Sequence, residues 1–132
     1  MAVLTDSRLW LAAMLCTLNL LAVYPITQIY QHDEDARRGD LTMSRLLGLG
    51  GTFVCAVLMF SLSLTGFYVF FSGQWPFFAL MGFLTPAILF FVVWYSRVHQ
   101  DAARADFRSA MTMTLLAGLG LNGFFLMLLF TR

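Results

Sequence analysis

The chain has 132 residues, of which 60% are hydrophobic and 16% aromatic, and its eight Lys+Arg against seven Asp+Glu leave a net charge of +1. So apolar a chain of this size cannot hide its hydrophobic side chains from water, which excludes a soluble globular domain. The balanced charge excludes the basic footprint that a nucleic-acid partner needs.

The charged residues are confined to Asp6 to Arg8, Asp33 to Arg45, Arg97 to Arg108 and the terminal Arg132, and the runs 9–32, 46–96 and 109–131 hold none. A hydrocarbon core of about 30 Å needs roughly 20 apolar residues per helix. The first and last runs suit one helix each. The middle run suits two, divided at Ser72-Gly73-Gln74-Trp75-Pro76, where Gly and Pro interrupt the chain and Trp75 can anchor at an interface. The pattern predicts an all-α membrane protein built as a single domain over 1–132. Its four transmembrane helices are expected near 9–31, 46–70, 76–96 and 109–130, joined by charged loops 32–45 and 97–108. The start MAVLTDSRLW lacks the features of a removed signal peptide, so the first helix is expected to stay.

Orientation follows from the arginines. The two charged loops share one side and carry Arg37, Arg38, Arg45, Arg97, Arg104 and Arg108, so the positive-inside rule places both in the cytoplasm and both termini outside.

Within the first helix, Tyr24, Gln28, Gln31 and Asp35 follow helical spacings of four, three and four, which would set them on one face. Pro25 is expected to bend the helix beside them. The helix runs into Asp33, Glu34 and Asp35, then Arg37, Arg38, a helix-stopping Gly39, Asp40 and Thr42. Carboxylates beside a bilayer are expensive and call for a reason. One reason is a site; the plainer reading makes Tyr24 and Gln28 interhelical polar contacts and leaves the acids solvated. Oxygen-only carboxylate ligands favour a hard cation, and Mg²⁺ so held usually takes further ligands from phosphates and water. That points to a Mg²⁺-bridged phosphate or diphosphate, with Arg37 and Arg38 placed to offset its charge. His32, with no second His or Cys at ligand spacing, reads as a surface residue.

The segment QHDEDARRGDLTMSRLLG resembles the second Asp-rich motif of the UbiA-type membrane prenyltransferases. There, two carboxylates four residues apart precede a glycine by eight and four positions, and the glycine is followed by a threonine and a leucine-glycine pair. Counting back from Gly39, the later position is Asp35 and the earlier is Gln31, with Asp33 and Glu34 as additional acids. The resemblance implies the later half of an all-helical bundle. It further implies transfer of an isoprenoid group from a prenyl diphosphate to a hydrophobic, often aromatic, acceptor with Mg²⁺ assistance. In that scheme Asp35, Asp33 and Glu34 hold the metal, while Gln31, Gln28, Tyr24, Arg37 and Arg38 face the substrate. The family's first motif, of Asn-Asp-x-x-Asp type, is absent, so a separate first half or a second copy is the expected partner beside the lipid bilayer. The alternative is a noncatalytic four-helix membrane protein or subunit that retains the scaffold.

Further along, Arg97, Asp101 and Arg104 have helical ion-pair spacing, which suggests a short interfacial helix. Gly118, Gly120 and Gly123 lie in an apolar run with no preceding strand. They read as close helix packing rather than a dinucleotide loop, as do Gly48, Gly50 and Gly51. Thr85 and Pro86 predict a kink in the third helix, and Asn122 is expected to bond another helix. Cys16 and Cys55 fall inside spans and read as small core residues.

Overall fold

A computed structural model describes residues 6–131, and the terminal Arg132 lies outside them. Helix α1 (Ser7–Gln28) starts where the Asp6 side chain accepts from the Arg8 backbone N–H at 2.9 Å, a standard helix cap. It passes through a 3₁₀ turn (Ile29–Gln31) into α2 (His32–Arg38). Most of the segment expected as the first charged loop is therefore helical. Three acids in the first turn of α2 and two arginines in its last suit the helix dipole. Gly39 ends the helix in the left-handed region at φ +78°, and the Asp40 N–H returns to the Asp35 carbonyl at 2.9 Å.

Helix α3 (Met43–Phe70) is interrupted at Gly48, whose φ of 67° and ψ of 175° are not helical. Helix α4 (Trp75–Gln100) opens with Pro76 in its first turn, where a missing N–H costs nothing, and carries Pro86 inside. A 3₁₀ turn (Ala102–Arg104) then leads to α5 (Phe107–Phe130), whose first turn is capped by Asp106 accepting from the Ser109 N–H at 2.8 Å. The second charged segment thus extends α4 to Gln100 and holds one 3₁₀ turn in place of a separate α-helix. Its ion pair joins Arg104 to Asp101.

Among the described residues, four helical stretches are long and apolar enough to cross a membrane: Ser7–Arg38, Met43–Phe70, Trp75–Gln100 and Phe107–Phe130. Each turns large apolar side chains outward; Leu20, Leu58, Leu89 and Leu115 are all more than half exposed. Such a surface fits a multi-pass protein whose solvent is lipid.

The packing makes two hairpins. Helix α1 lies along α3 and α4 along α5, α1 also touches α5, and α3 has little contact with α4 although a tight turn joins them. Two buried clusters hold the bundle together. One, containing Leu15, Phe67, Leu80 and Phe124, sits toward the turn between α3 and α4. The other, containing Ile26, Ile29, Phe53, Trp94, Val98 and Met113, sits toward the charged segments. Between α3 and α4 an apolar cleft of about 320 Å³ opens, with Phe60, Leu84, Phe91, Tyr95 and Met113 in its walls.

Glycine roles differ from the sequence expectation. Gly120 does lie hard against α4, where an added Cβ would stand 2.6 Å from the Phe83 carbonyl oxygen. Gly48, Gly50 and Gly51 approach no other helix; Gly48 breaks its own. Asn122 is exposed and donates to the Gly118 carbonyl of its own helix at 2.8 Å, so it bonds no neighbour. The buried amide is Asn19, whose Nδ2 donates to Ser63 Oγ at 2.6 Å and to the Leu15 carbonyl. Both cysteines are free and half-buried.

Candidate functional site

The 3₁₀ turn sets Gln31 and Asp35 out of register with the residues of α1. Its three residues per turn break the 3.6-residue register on which a continuous polar face depends. Tyr24 is 57% exposed and looks away from the bundle, whereas Asp35 is 8% exposed. Gln28 turns inward and its Oε1 is buried without a hydrogen-bond partner among the described residues. Gln31 donates to the Tyr30 hydroxyl at 2.9 Å. The four expected to share one face do not.

The three acids separate for a related reason. Consecutive residues of an α-helix point about 100° apart, so Asp33, Glu34 and Asp35 diverge. Asp35 Oδ2 accepts from the Thr42 hydroxyl at 3.0 Å, and its backbone carbonyl accepts from Arg45 Nη1 at 3.1 Å. Glu34 pairs with Arg38 on the exposed side of α2. Asp33 alone faces a recess between the two charged segments. Arg37 Nε donates to the Asp33 backbone carbonyl at 3.2 Å, so both arginines fold back onto their own helix.

That recess has a volume of about 580 Å³. Ile29, Tyr30, His32, Asp33 and Leu49 form one wall, and Ala102, Ala103, Ala105, Asp106 and Phe107 the other. The Tyr30 and Phe107 rings meet edge to face across it, with centroids 5.0 Å apart. The second wall is fixed to α4 by Trp94, whose indole N–H donates to the Arg104 carbonyl at 2.8 Å.

His32 is not the surface residue its isolation in the sequence suggests. Its Nε2 lies 2.5 Å from Ser44 Oγ, and Ser44 Oγ lies 3.3 Å from Thr52 Oγ1. Ser44 and Thr52 have no solvent exposure. Thr52 Oγ1 in turn donates to the Gly48 carbonyl at 2.7 Å. A line of polar contacts therefore runs from the recess down to the break in α3. Nothing in the spacing of His32, Ser44 and Thr52 announces it, because the break at Gly48 is what brings Ser44 over Thr52.

The donor set bears on the implied metal. Among the described residues no three His, Cys, Asp or Glu side chains converge as a cation cage. Mg²⁺ does not need one, since it is commonly held by one or two carboxylates with water and phosphate completing its shell. Asp33 fits that mode as a single carboxylate; Glu34 and Asp35 are engaged elsewhere, and Asp106 across the recess is occupied as the α5 cap, both its oxygens accepting from Ser109.

No family model, curated protein or solved structure matches this chain.

Proposed function

We propose that the chain is a UbiA-type half-bundle that contributes a prenyl diphosphate site at its charged end, and that this end faces the cytoplasm. One observation carries the reading: the residues that resemble the family motif are the ones interlocked beside the recess. Asp35 bonds Thr42, Gly39 makes the left-handed turn between them, and the Leu47-Gly48 pair marks the break that sets Leu49 into the recess wall. In this reading Asp33 replaces the Asp33, Glu34 and Asp35 trio as the residue that holds Mg²⁺, with the diphosphate supplying the remaining charge. Bound Mg²⁺ would neutralise the leaving diphosphate. The isoprenoid tail belongs in apolar surroundings such as the cleft between α3 and α4. The acceptor and the rest of the enclosure come from a second set of helices, either a separate half or a second copy.

The experiment is equilibrium binding of farnesyl diphosphate to the full chain in detergent micelles, with Mg²⁺ and with chelator. The expected result is Mg²⁺-dependent binding that Asp33→Asn weakens by about tenfold or more, whereas Glu34→Gln leaves it within about twofold, as removing one charged contact predicts. Binding indifferent to Mg²⁺ and to Asp33 would overturn the proposal.

One observation favours the second reading, a noncatalytic bundle: Arg37 and Arg38 are turned onto α2 and offer the recess no cation. That reading predicts no farnesyl diphosphate binding under either condition.

A further inference from the structure

The polar line from His32 to Gly48 has a direction, which follows from counting protons. A hydroxyl donates once. Thr52 Oγ1 spends its proton on a backbone carbonyl, that of Gly48 at 2.7 Å or of Ser44 at 3.3 Å, and a carbonyl can only accept. Toward Ser44 Oγ, Thr52 is therefore an acceptor, and the Ser44 hydroxyl proton goes to Thr52. All of these contacts are hydrogen bonds at once only when Ser44 Oγ accepts from His32, which puts the proton on Nε2 in the short contact of 2.5 Å. In a neutral imidazole with a protonated Nε2, Nδ1 holds the lone pair.

Nδ1 has no hydrogen-bond partner among the described residues, and His32 lines the recess. We infer that the Ser44 and Thr52 hydroxyls lock His32 in its Nε2–H form, so that Nδ1 is a fixed hydrogen-bond acceptor in the recess, selecting a ligand head group that carries a hydroxyl. The chemical class is a phenol or alcohol with an apolar body, since the Tyr30 and Phe107 rings and Ile29 supply the rest of the lining. The neighbouring carboxylate of Asp33 is an acceptor too, so a hydroxyl donor meets complementary groups along that wall; across the recess both Asp106 oxygens already accept from Ser109. This deepens the reading of the recess given above: His32 would choose the acceptor substrate, as Asp33 holds the diphosphate partner. It is a positioning role, in which Ser44 and Thr52 act through the ring.

The test uses the full chain labelled with ¹⁵N-histidine in detergent micelles at neutral pH, with His99→Gln to assign the two histidines. Long-range proton-nitrogen correlation is expected to show His32 protonated on Nε2 and bare on Nδ1. Ser44→Ala removes the lock and is expected to give a mixture of the two forms. Thr52→Val, which frees the Ser44 proton to reverse, is the second variant should Ser44→Ala fail to fold. Titration with 4-heptylphenol should move the Nδ1 resonance and bind about fivefold tighter than its methyl ether, 4-heptylanisole, the range that one neutral hydrogen bond supplies. The Nδ1–H form in the free protein, or equal binding of phenol and ether, would overturn the inference. Neither outcome touches the Mg²⁺ and Asp33 dependence of farnesyl diphosphate binding, so the two readings fail separately.

Discussion

The Thr42 hydroxyl donates to Asp35 Oδ2 at 3.0 Å, closing the short connection over residues 39–42 that leads from α2 into α3. With the Asp35 carbonyl also accepting from Arg45 and from the Asp40 N–H, one nearly buried residue ties the end of one helix to the start of the next. Thr42→Val leaves that carboxylate short of a partner and is expected to cost about 1–3 kcal/mol. Asp35→Asn keeps an acceptor for the hydroxyl and should cost less. Reversible unfolding in mixed micelles ranks the two, and the opposite order would show that the contact contributes nothing.

Gly48 holds a conformation close to glycine-only, and a Cβ added there meets nothing within 4 Å. The cost of Gly48→Ala is therefore conformational alone, about 1–3 kcal/mol. Gly50, two residues on, is helical with open space around it, so Gly50→Ala should be neutral or stabilise by up to about 1 kcal/mol. Equal destabilisation by both would place the importance of this segment in packing and refute the backbone argument.

Among the glycines of α5, Gly120 lies tightest against α4. Gly120→Ala drives a methyl group toward a backbone carbonyl, which cannot swing aside as a side chain can, and the helices must part. Overpacking of this kind costs about 1–3 kcal/mol. Gly118→Ala faces open space and is expected to be tolerated. Thermal unfolding of the two variants side by side checks the contrast.

Asn19 and Ser63 form the buried polar contact between α1 and α3, and Ser63 Oγ passes its own proton to the Leu15 carbonyl at 3.1 Å. A double-mutant cycle with Asn19→Leu and Ser63→Ala should give a coupling of about 0.6 kcal/mol and at most about 1.7, the range of interhelical hydrogen bonds in lipid. Zero coupling would mean that each side chain is satisfied by its own helix backbone.

Much of the architecture is legible in the order of residues. Charge-free runs mark the four long apolar helices because a charge in hydrocarbon costs too much to be scattered, and Gly39 marks its helix end because few other residues adopt its φ. The site is less legible. The 3₁₀ turn at Ile29–Gln31 has no local signature in those three residues, yet it shifts Gln31 and Asp35 out of register with α1 and breaks the polar stripe. Gly48 sits in an apolar run where a glycine for packing and a glycine for a break look alike, and only the fold separates them. The Ser44 and Thr52 contact hangs on that break. Asn19 and Asn122 are equally plausible as buried amides from sequence, and neighbouring helices alone decide that the first is buried and the second is not.

The recess draws one wall from the α1 and α3 hairpin and the other from the α4 and α5 hairpin, and those hairpins meet weakly along α3 and α4. It is therefore a seam between two hairpins, and its width is a gauge of the angle between them. Whatever fills it must act as a rivet. A ligand seated there would fix the angle between the hairpins, and labels on Ala103 and Leu49 would register its binding as a narrowed spread of distances.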